Sequence, residues 1–202
     1  MNKYINILIV AFLVILGFWL FTKNKEVSTI NNLNNESTTM TATMHTSEGD
    51  IAIEFFDQQA PNTVKNFTKL AGSGFYDGVK FHRVIKGFMI QGGDPLTKDD
   101  SKMNFWGTGD PGYKFQDEID PKSALYAETG YAKGIVAMAN SGPNTNGSQF
   151  FIMTEAYPLS PSYTIFGKVI FGQEVVDKIA NVKTGAGDRP VKAVVINSIT
   201  LK

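Results

Sequence analysis

Cysteine is absent from the 202 residues of the chain, and histidine occurs only twice, as His45 and His82. Without cysteine the protein can form no disulfide, thiol nucleophile or thiolate metal site, and two histidines are too few for a histidine-rich metal centre. An excess of positive charge is also missing, because 19 Lys and Arg balance 19 Asp and Glu. Binding to nucleic acid depends on clustered basic residues, so we expect neither a nucleic-acid partner nor a metal.

Three weaker signals are best explained without a ligand. Residues 92–94, Gly-Gly-Asp, are not followed by Gly-Lys-Ser/Thr, so they are no phosphate loop and we expect no nucleotide or other cofactor. Asp117, Glu118 and Asp120 lack the glycine turn and the bidentate glutamate of a calcium loop, and predict a solvated loop. His82 is interpreted as a packed histidine at the rim of the domain rather than a proton shuttle.

The N-terminal segment, residues 1–21, contains an uncharged apolar run from Ile5 to Phe21. At about 1.5 Å per residue this run would span roughly 25 Å as a helix, which is the short end of a membrane span. The residues after it, Thr22 to Lys25, do not form the small-residue site at which a signal peptide is cleaved. A cleaved signal segment and a retained transmembrane anchor are the two interpretations, and we favour the anchor.

Residues 22–40 are rich in Asn, Ser and Thr and predict a flexible polar linker. Lys3 precedes the apolar run while Lys23 and Lys25 follow it, so the distribution of positive charge does not decide the orientation. Because the tail before the run is short and the layout is that of an exported protein, we expect a single-pass membrane protein with its domain outside the cytoplasm.

Residues 41–202 predict a mainly-β domain. Alternating apolar residues at 41–46 and 51–55, with a turn at 48–50 between them, predict a hairpin. Two amphipathic helices are predicted, from Pro61 to the glycines at 72 and 74 and from Gly172 to Val182. The other predicted strands are 79–85, 88–91, 135–139, 149–154, 165–170 and 191–201. This order of elements fits a closed antiparallel barrel whose open ends are covered by the two helices.

Two segments carry the residues on which the functional interpretation depends. The first reads FHRVI from Phe81 and, after one lysine, GFMIQGGD. In a strand, Phe81, Arg83 and Ile85 share one face, so Arg83 must find a partner or reach water among apolar neighbours. It could form a structural salt bridge or face an apolar pocket. The second segment, residues 137–152, reads AMANSGPNTNGSQFFI and predicts a polar turn between two buried strands.

Together these segments closely resemble the cyclophilin family of peptidyl-prolyl cis/trans isomerases. The resemblance extends through TVKNF, FYDG, GTG and FGKV, which begin at Thr63, Phe75, Gly107 and Phe166, and it covers the chain from about Met40 to its end. It implies an eight-stranded barrel with two capping helices. It also implies isomerisation of X-Pro bonds in folding polypeptides, which from the layout of the chain would be exported or envelope proteins. We expect the protein to act as a monomer.

The resemblance implies roles for individual residues of this chain. Arg83 would be the catalytic arginine. The positions that would contact the substrate are Phe88, Met89, Gln91, Thr108, Ala139, Asn140, Gln149, Phe151, Leu159 and Tyr163. Gln91 and the backbone of Asn140 would hold the peptide. The neighbouring subsite would be bordered by Thr108, Ala139 and Gln149, and the walls of the proline pocket would be Phe88, Met89, Phe151, Leu159 and Tyr163. The alternative function is a binding module of the same fold with incidental turnover. Arg83 favours the enzyme, because a pure binder has no need of it.

Two positions depart from the best-known members of the family. Pro158 stands where many eukaryotic cyclophilins carry tryptophan, and Tyr163 where they carry histidine. Tyrosine still offers an apolar ring with a polar tip as a pocket wall. Both departures are typical of the bacterial branch, so we expect a bacterial source.

Pro158 predicts weak binding of cyclosporin, or none, because a proline ring offers less apolar contact area than an indole. The measurement is inhibition by cyclosporin in a prolyl isomerase assay, where we expect no effect at low nanomolar concentration. Inhibition in the low nanomolar range would contradict this expectation.

Overall fold

The computed structural model describes residues 40–202. The predicted anchor and almost all of the predicted linker, residues 1–39, lie outside the described residues. Within the described part of the chain, no helix combines the length and the apolar character that crossing a membrane requires.

The described residues form a mainly-β fold. Its strands are β1 (Thr41–Thr46), β2 (Gly49–Phe55), β3 (Arg83–Ile85), β4 (Met89–Gly92), β5 (Ile135–Met138), β6 (Phe150–Met153), β7 (Ile165–Phe171) and β8 (Ile196–Leu201). The α-helices are α1 (Pro61–Gly72) and α2 (Gln173–Ala180). Shorter helical turns are Pro95–Lys98, Asp100–Phe105, Ala186–Asp188 and the π-helical Leu125–Thr129. The predicted hairpin and both predicted helices are confirmed.

The strands form one antiparallel sheet in the order β3-β4-β6-β5-β7-β2-β1-β8. Its ladder ends at β3 and β8, so the sheet is a curled half-barrel and the predicted fully closed barrel is wrong. The predicted strand 79–85 is divided in two, which explains the difference. Phe81 N donates to Val194 O at 3.0 Å and Ile196 N to Val79 O at 2.8 Å, whereas residues 83–85 pair with β4. The two ends of the sheet are therefore joined only by isolated backbone hydrogen bonds between residues 78–81 and residues 194–196.

A cluster of aromatic rings fills the inside of the curl. Phe67 of α1 lies at its centre, with ring centroids 5.0–5.6 Å from Phe55, Tyr76, Phe150 and Phe166, all of which are fully buried. Truncation of such a ring to alanine typically costs about 3–5 kcal/mol. The apolar face predicted for α1 is the face that packs on this cluster, so Phe67 attaches the helix to the sheet.

A second apolar cluster lies on the opposite, outer face of the central strands. It consists of Met89, Tyr131, Ile135, Ala137, Phe151, Met153 and Ile165. Successive side chains of a strand point to opposite faces, so Phe150 and Ile152 of β6 enter the inner core while Phe151 and Met153 enter the outer cluster. This explains why β6 is apolar at every position.

The N-terminus of α1 is capped by a residue that is distant in sequence. Ala60, at the N-cap position, offers no side-chain acceptor. Instead, the carboxylate of Glu118 accepts from the backbone N–H groups of Asn62 at 3.0 Å and Thr63 at 2.8 Å, and from both of their side chains. A carboxylate at this end of a helix satisfies free N–H groups and interacts favourably with the helix dipole.

Asp117 has a corresponding role beside the turn between β5 and β6. Its carboxylate accepts from Asn144 N and from Asn146 Nδ2, both at 2.8 Å. The prediction of a merely solvated acidic loop is therefore wrong for Asp117 and Glu118, because both carboxylates bind protein donors. The described residues contain no group of three or more His, Asp or Glu side chains that could hold a metal.

Candidate active site

The register of the sheet aligns three predicted site residues and Ala137 of the outer cluster across adjacent strands. Arg83 of β3 lies opposite Gln91 of β4, Gln91 opposite Phe151 of β6, and Phe151 opposite Ala137 of β5. Directly opposed residues have Cβ atoms about 4.5–5.5 Å apart, so their side chains are neighbours on one face. The row begins with the cationic Arg83 on the edge strand β3 and ends with the apolar Phe151 and Ala137 on the central strands.

The apolar side chains assigned to the proline pocket meet at the outer cluster. Met89 and Phe151 are buried, whereas Phe88, Leu159 and Tyr163 are half-buried and pack against the cluster. The rings of Phe151 and Tyr163 meet edge to face, with centroids 5.4 Å apart and planes at 88°. The structure thus brings together all five side chains that the sequence predicted as pocket walls.

Two tyrosines behind the pocket hold Tyr163 in place. Tyr131 Oη donates to Tyr163 O at 2.8 Å and accepts from Tyr163 N at 3.1 Å. Tyr126 Oη accepts from Ile165 N at 2.9 Å. Burial raises the pKa of both tyrosines, so the hydroxyls stay protonated and able to donate. Sequence reasoning missed them because they come from a long segment without periodicity.

Arg83 is about half exposed and has two acceptors nearby. Its Nη1 donates to Gln91 Oε1 at 3.5 Å, and its Nε lies 3.8 Å from Asp188 Oδ2. The guanidinium therefore lies on the edge strand of the sheet and is not sequestered in a buried ion pair. Arginine supplies several hydrogen-bond donors in a fixed planar geometry.

Gln91 is held in one orientation by a second glutamine. Gln91 Nε2 donates to Gln149 Oε1 at 3.0 Å, and Gln149 Nε2 donates to the carbonyl groups of Gly107 at 3.0 Å and Gly109 at 2.9 Å. With its amide nitrogen engaged, Gln91 presents its oxygen to Arg83. Both glutamines were predicted as peptide contacts, and the structure adds that they orient each other.

The loop that carries Thr108 is fastened by the buried carboxylate of Asp94. This carboxylate accepts from the backbone N–H groups of Leu96, Gly107 and Gly109. A Cβ at Gly109 would collide with the carboxylate, so only glycine fits there. Thr108 is consequently exposed at the edge of the site. The sequence did not predict this role of Asp94.

A polar cavity of about 300 Å³ is lined in part by Gln91, the residue that lies opposite Phe151 in the sheet. Of the predicted contacts, Gln91, Thr108, Ala139, Asn140 and Gln149 line this cavity. The side chain of Asn140 is engaged within the protein, since its Nδ2 donates to Ser162 O at 2.8 Å. This cavity is the polar compartment of the candidate site, and the outer cluster with the side chains packed against it is the apolar compartment.

Residues 41–201 match the family described as cyclophilin type peptidyl-prolyl cis-trans isomerase. The chain belongs to this family. It is a peptidyl-prolyl cis-trans isomerase, and the polar and apolar compartments lie in a cyclophilin fold.

Similar proteins include enzymes from distant organisms. The cyclophilin is 48% identical over 163 residues to a peptidyl-prolyl cis-trans isomerase of Arabidopsis thaliana, a match that covers 80% of this chain and 96% of the relative. It is 47% identical over 186 residues to peptidyl-prolyl cis-trans isomerase A of Mycobacterium tuberculosis, covering 83% and 95%. These names favour the enzyme over a binding module. Plant and mycobacterial relatives are equally similar, so identity does not single out the bacterial branch.

A solved structure has the same fold. A cyclophilin type peptidyl-prolyl cis-trans isomerase of Cryptosporidium parvum, 37% identical in sequence, superposes with a TM-score of 0.71 and covers 81% of this chain and 98% of its own. A second structure of that protein, with a TM-score of 0.70, was determined in the presence of the dipeptide Ala-Pro.

His82, which precedes Arg83, is buried and neither ring nitrogen has a hydrogen-bond partner of good geometry. Burial lowers the pKa of His82 to about 4, and the charges of Arg189 and Arg83 act in the same direction, whereas Asp94 and the backbone of Lys80 oppose the shift. The ring is therefore neutral at physiological pH. A buried neutral imidazole of this kind is a packing residue and is poorly suited to shuttle protons.

The buried imidazole predicts a pH-dependent stability. Its folded-state pKa of about 4 lies below the unfolded value of about 6.5, so its stabilisation is complete above pH 6.5 and is lost as pH falls towards 4. We expect urea unfolding to show that this residue accounts for about 2–3 kcal/mol of the free energy lost between pH 7 and pH 4.5. His82→Gln should lose correspondingly less over this range.

His45→Gln is the matched control, because His45 is the only other histidine and lies exposed beside Asp50. This variant removes a histidine while leaving the buried ring of His82 in place, so comparing it with His82→Gln separates the effect of the buried ring from that of losing any histidine. Identical slopes for wild type and His82→Gln would show that the imidazole does not titrate as described.

Proposed function

We propose that Arg83 is the catalytic residue of this cyclophilin and that the proline ring of the substrate binds in the apolar pocket formed by Phe88, Met89, Phe151 and their neighbours. The observation that carries the proposal is the cross-strand row, in which Arg83 lies opposite Gln91 and Gln91 lies opposite Phe151. A charged donor and an apolar binding site for a ring are thereby adjacent on one face.

The chemistry of the reaction explains this combination. Rotation about a peptide bond has a barrier of about 18–20 kcal/mol because the nitrogen lone pair is delocalised. No covalent bond is broken, so neither a nucleophile nor a general base is needed. The twisted amide has a pyramidal nitrogen with a localised lone pair. A fixed guanidinium stabilises it by donating to that nitrogen or to the carbonyl oxygen.

The two compartments would bind different parts of the substrate. The apolar pocket grips the ring and excludes water, which would otherwise stabilise the planar amide. The polar cavity receives the residues next to the proline, where Gln91, the backbone of Asn140 and the Thr108 loop supply donors and acceptors. The Ala-Pro dipeptide present with the Cryptosporidium parvum relative supports proline-containing polypeptides as substrates.

The substitution Arg83→Ala should slow isomerisation of a proline peptide by about 10²-fold or more, because removal of one transition-state donor typically has this effect. Arg83→Lys should have an intermediate rate, because lysine keeps the positive charge but lacks the planar guanidinium with its fixed donors. Either an exchange measurement by NMR or a protease-coupled assay gives the rate.

Lys86→Ala is the control, because it removes a cation from the exposed turn between β3 and β4. Lys86→Ala should leave the rate of isomerisation unchanged. The melting temperatures of Lys86→Ala and Arg83→Ala should both be close to that of the wild type. Equal rates for wild type and Arg83→Ala would rule out the assigned mechanism while leaving the family membership intact.

We further propose that residues 5–21 anchor the enzyme in a membrane with its domain outside the cytoplasm, where it acts on exported or envelope proteins. The support is the uncharged apolar run followed by the polar linker. We also propose that the protein acts as a monomer. The bacterial origin and the weak binding of cyclosporin rest on Pro158, which is exposed next to Leu159, and on Tyr163.

A reporter fused after the exposed Lys202 tests the orientation. A reporter that works only outside the cytoplasm should be active, and one that works only inside should be silent. Activity of the cytoplasmic reporter alone would overturn the proposed location. The mass of the mature protein distinguishes a retained anchor from a cleaved signal segment.

A further inference from the structure

Asp188 lies next to the catalytic candidate in an unusual conformation. It ends the short turn Ala186–Asp188, and its Oδ2 is 3.8 Å from Nε of Arg83. Its φ of 58° falls in the left-handed region, which residues other than glycine adopt infrequently and mostly at functional or tightly constrained positions. The turn is more than a hundred residues from Arg83 in sequence, so no local motif predicts the pair.

The turn is fastened by the residue that follows Asp188. Arg189 Nη2 donates to Met103 O at 3.0 Å, and the Arg189 guanidinium stacks over the ring of Trp106 at 5.1 Å. Arg189 O also accepts from Gly185 N at 2.8 Å, which closes the turn on itself. The backbone of Asp188 is therefore held from both sides, and its carboxylate is directed by the fold.

Trp106 in turn is fixed by contacts of its own. Its Nε1 donates to Asp99 O at 3.2 Å, and Lys80 Nζ lies 4.9 Å from the ring centroid. Each contact with a cation over an indole is modest, but together they join the loop before Gly107 to the turn that carries Asp188. The position of the carboxylate thus depends on a packed arrangement and not on a flexible loop end.

The consequence for Arg83 is that its guanidinium has acceptors on two different edges. Gln91 Oε1 lies 3.5 Å from Nη1, and Asp188 Oδ2 lies 3.8 Å from Nε. The contact with Asp188 is an ion pair beyond hydrogen-bond distance, so it acts through charge. Together with the hydrogen bond to Gln91 on the other edge, it favours one orientation of the guanidinium plane. The N–H groups that remain are free to donate to a bound peptide.

Stability alone gives no reason for an aspartate at this position. An ion pair between two half-exposed side chains contributes little to folding, and a left-handed backbone is unfavourable for any residue with a Cβ. Glycine would fit the turn with less strain. The side chain of Asp188 is therefore best explained by what it does to Arg83.

We propose that Asp188 is a positioning residue: it orients the guanidinium of Arg83 towards the twisted prolyl bond without touching the substrate. The inference rests on the proposed catalytic role of Arg83. Misplacement of a catalytic group by about 1 Å can reduce the rate by about 10²-fold, so partial loss of orientation should be measurable.

Two substitutions in the full-length chain separate the carboxylate from the backbone. Asp188→Asn keeps the shape and tolerates the left-handed conformation, and Asp188→Gly fits the turn without any side chain. Both should lower kcat/KM by about 10-fold. The loss should lie in kcat rather than KM, because the groups that hold the peptide are unchanged. Neither variant should melt at a lower temperature, and the NMR signal of the Arg83 Nε–H should shift or broaden in both.

Asp57→Asn is the matched control, because this aspartate lies in the turn after β2, outside the two compartments of the site, and the variant should keep full activity. The double variant Arg83→Ala, Asp188→Asn should be no slower than Arg83→Ala alone. If Arg83→Ala is slow but both Asp188 variants turn over at the wild-type rate, or if the two losses multiply, the positioning role is overturned. If Arg83→Ala is fully active, the proposed mechanism itself fails, which is a different result.

Discussion

Strand β6 is the constraint on which the fold and the site both depend. Its side chains alternate between two apolar environments, with Phe150 in the inner aromatic cluster and Phe151 in the outer pocket. A register shift of one residue would exchange the two faces. Phe150 packs edge to face against Phe67 of α1, so the helix that covers the core also fixes the register in which Phe151 reaches the pocket. The position of the pocket is therefore set by core packing.

The polar side of the site depends on the buried side chain of Asp94. Asp94 is fully buried and binds three backbone N–H groups, and this fixes the carbonyl groups that orient Gln149. Gln149 orients Gln91, and Gln91 faces Arg83. Buried polar networks are rigid when every member is satisfied. A buried side chain thus restricts, through these hydrogen bonds, the exposed side chain for which we propose the catalytic role.

Sequence reasoning succeeded where the signal is local. The hairpin and both helices follow from short motifs and from residue periodicity. The positions of the pocket walls came from the resemblance to the family and stay predictions. It failed where contacts join distant segments: Glu118 caps α1, Tyr131 supports Tyr163, and Asp188 reaches Arg83 across long sequence separations. Periodicity also could not show that residues 79–85 divide between two partners, which leaves a half-barrel in place of a closed one.

The pairing of β1 with both β2 and β8 has a consequence for the order in which the domain can fold. Strand β1 begins the domain, yet one of its two neighbours, β8, ends at Leu201. Contacts of such long separation require closure of a large loop before they stabilise anything, and folds rich in them form slowly. During synthesis β1 and β2 can form a hairpin early, but the outer edge of β1 stays unpaired until the last strand has left the ribosome. An enzyme that accelerates a slow step in the folding of other proteins must therefore complete its own sheet late, with an exposed strand edge in the meantime.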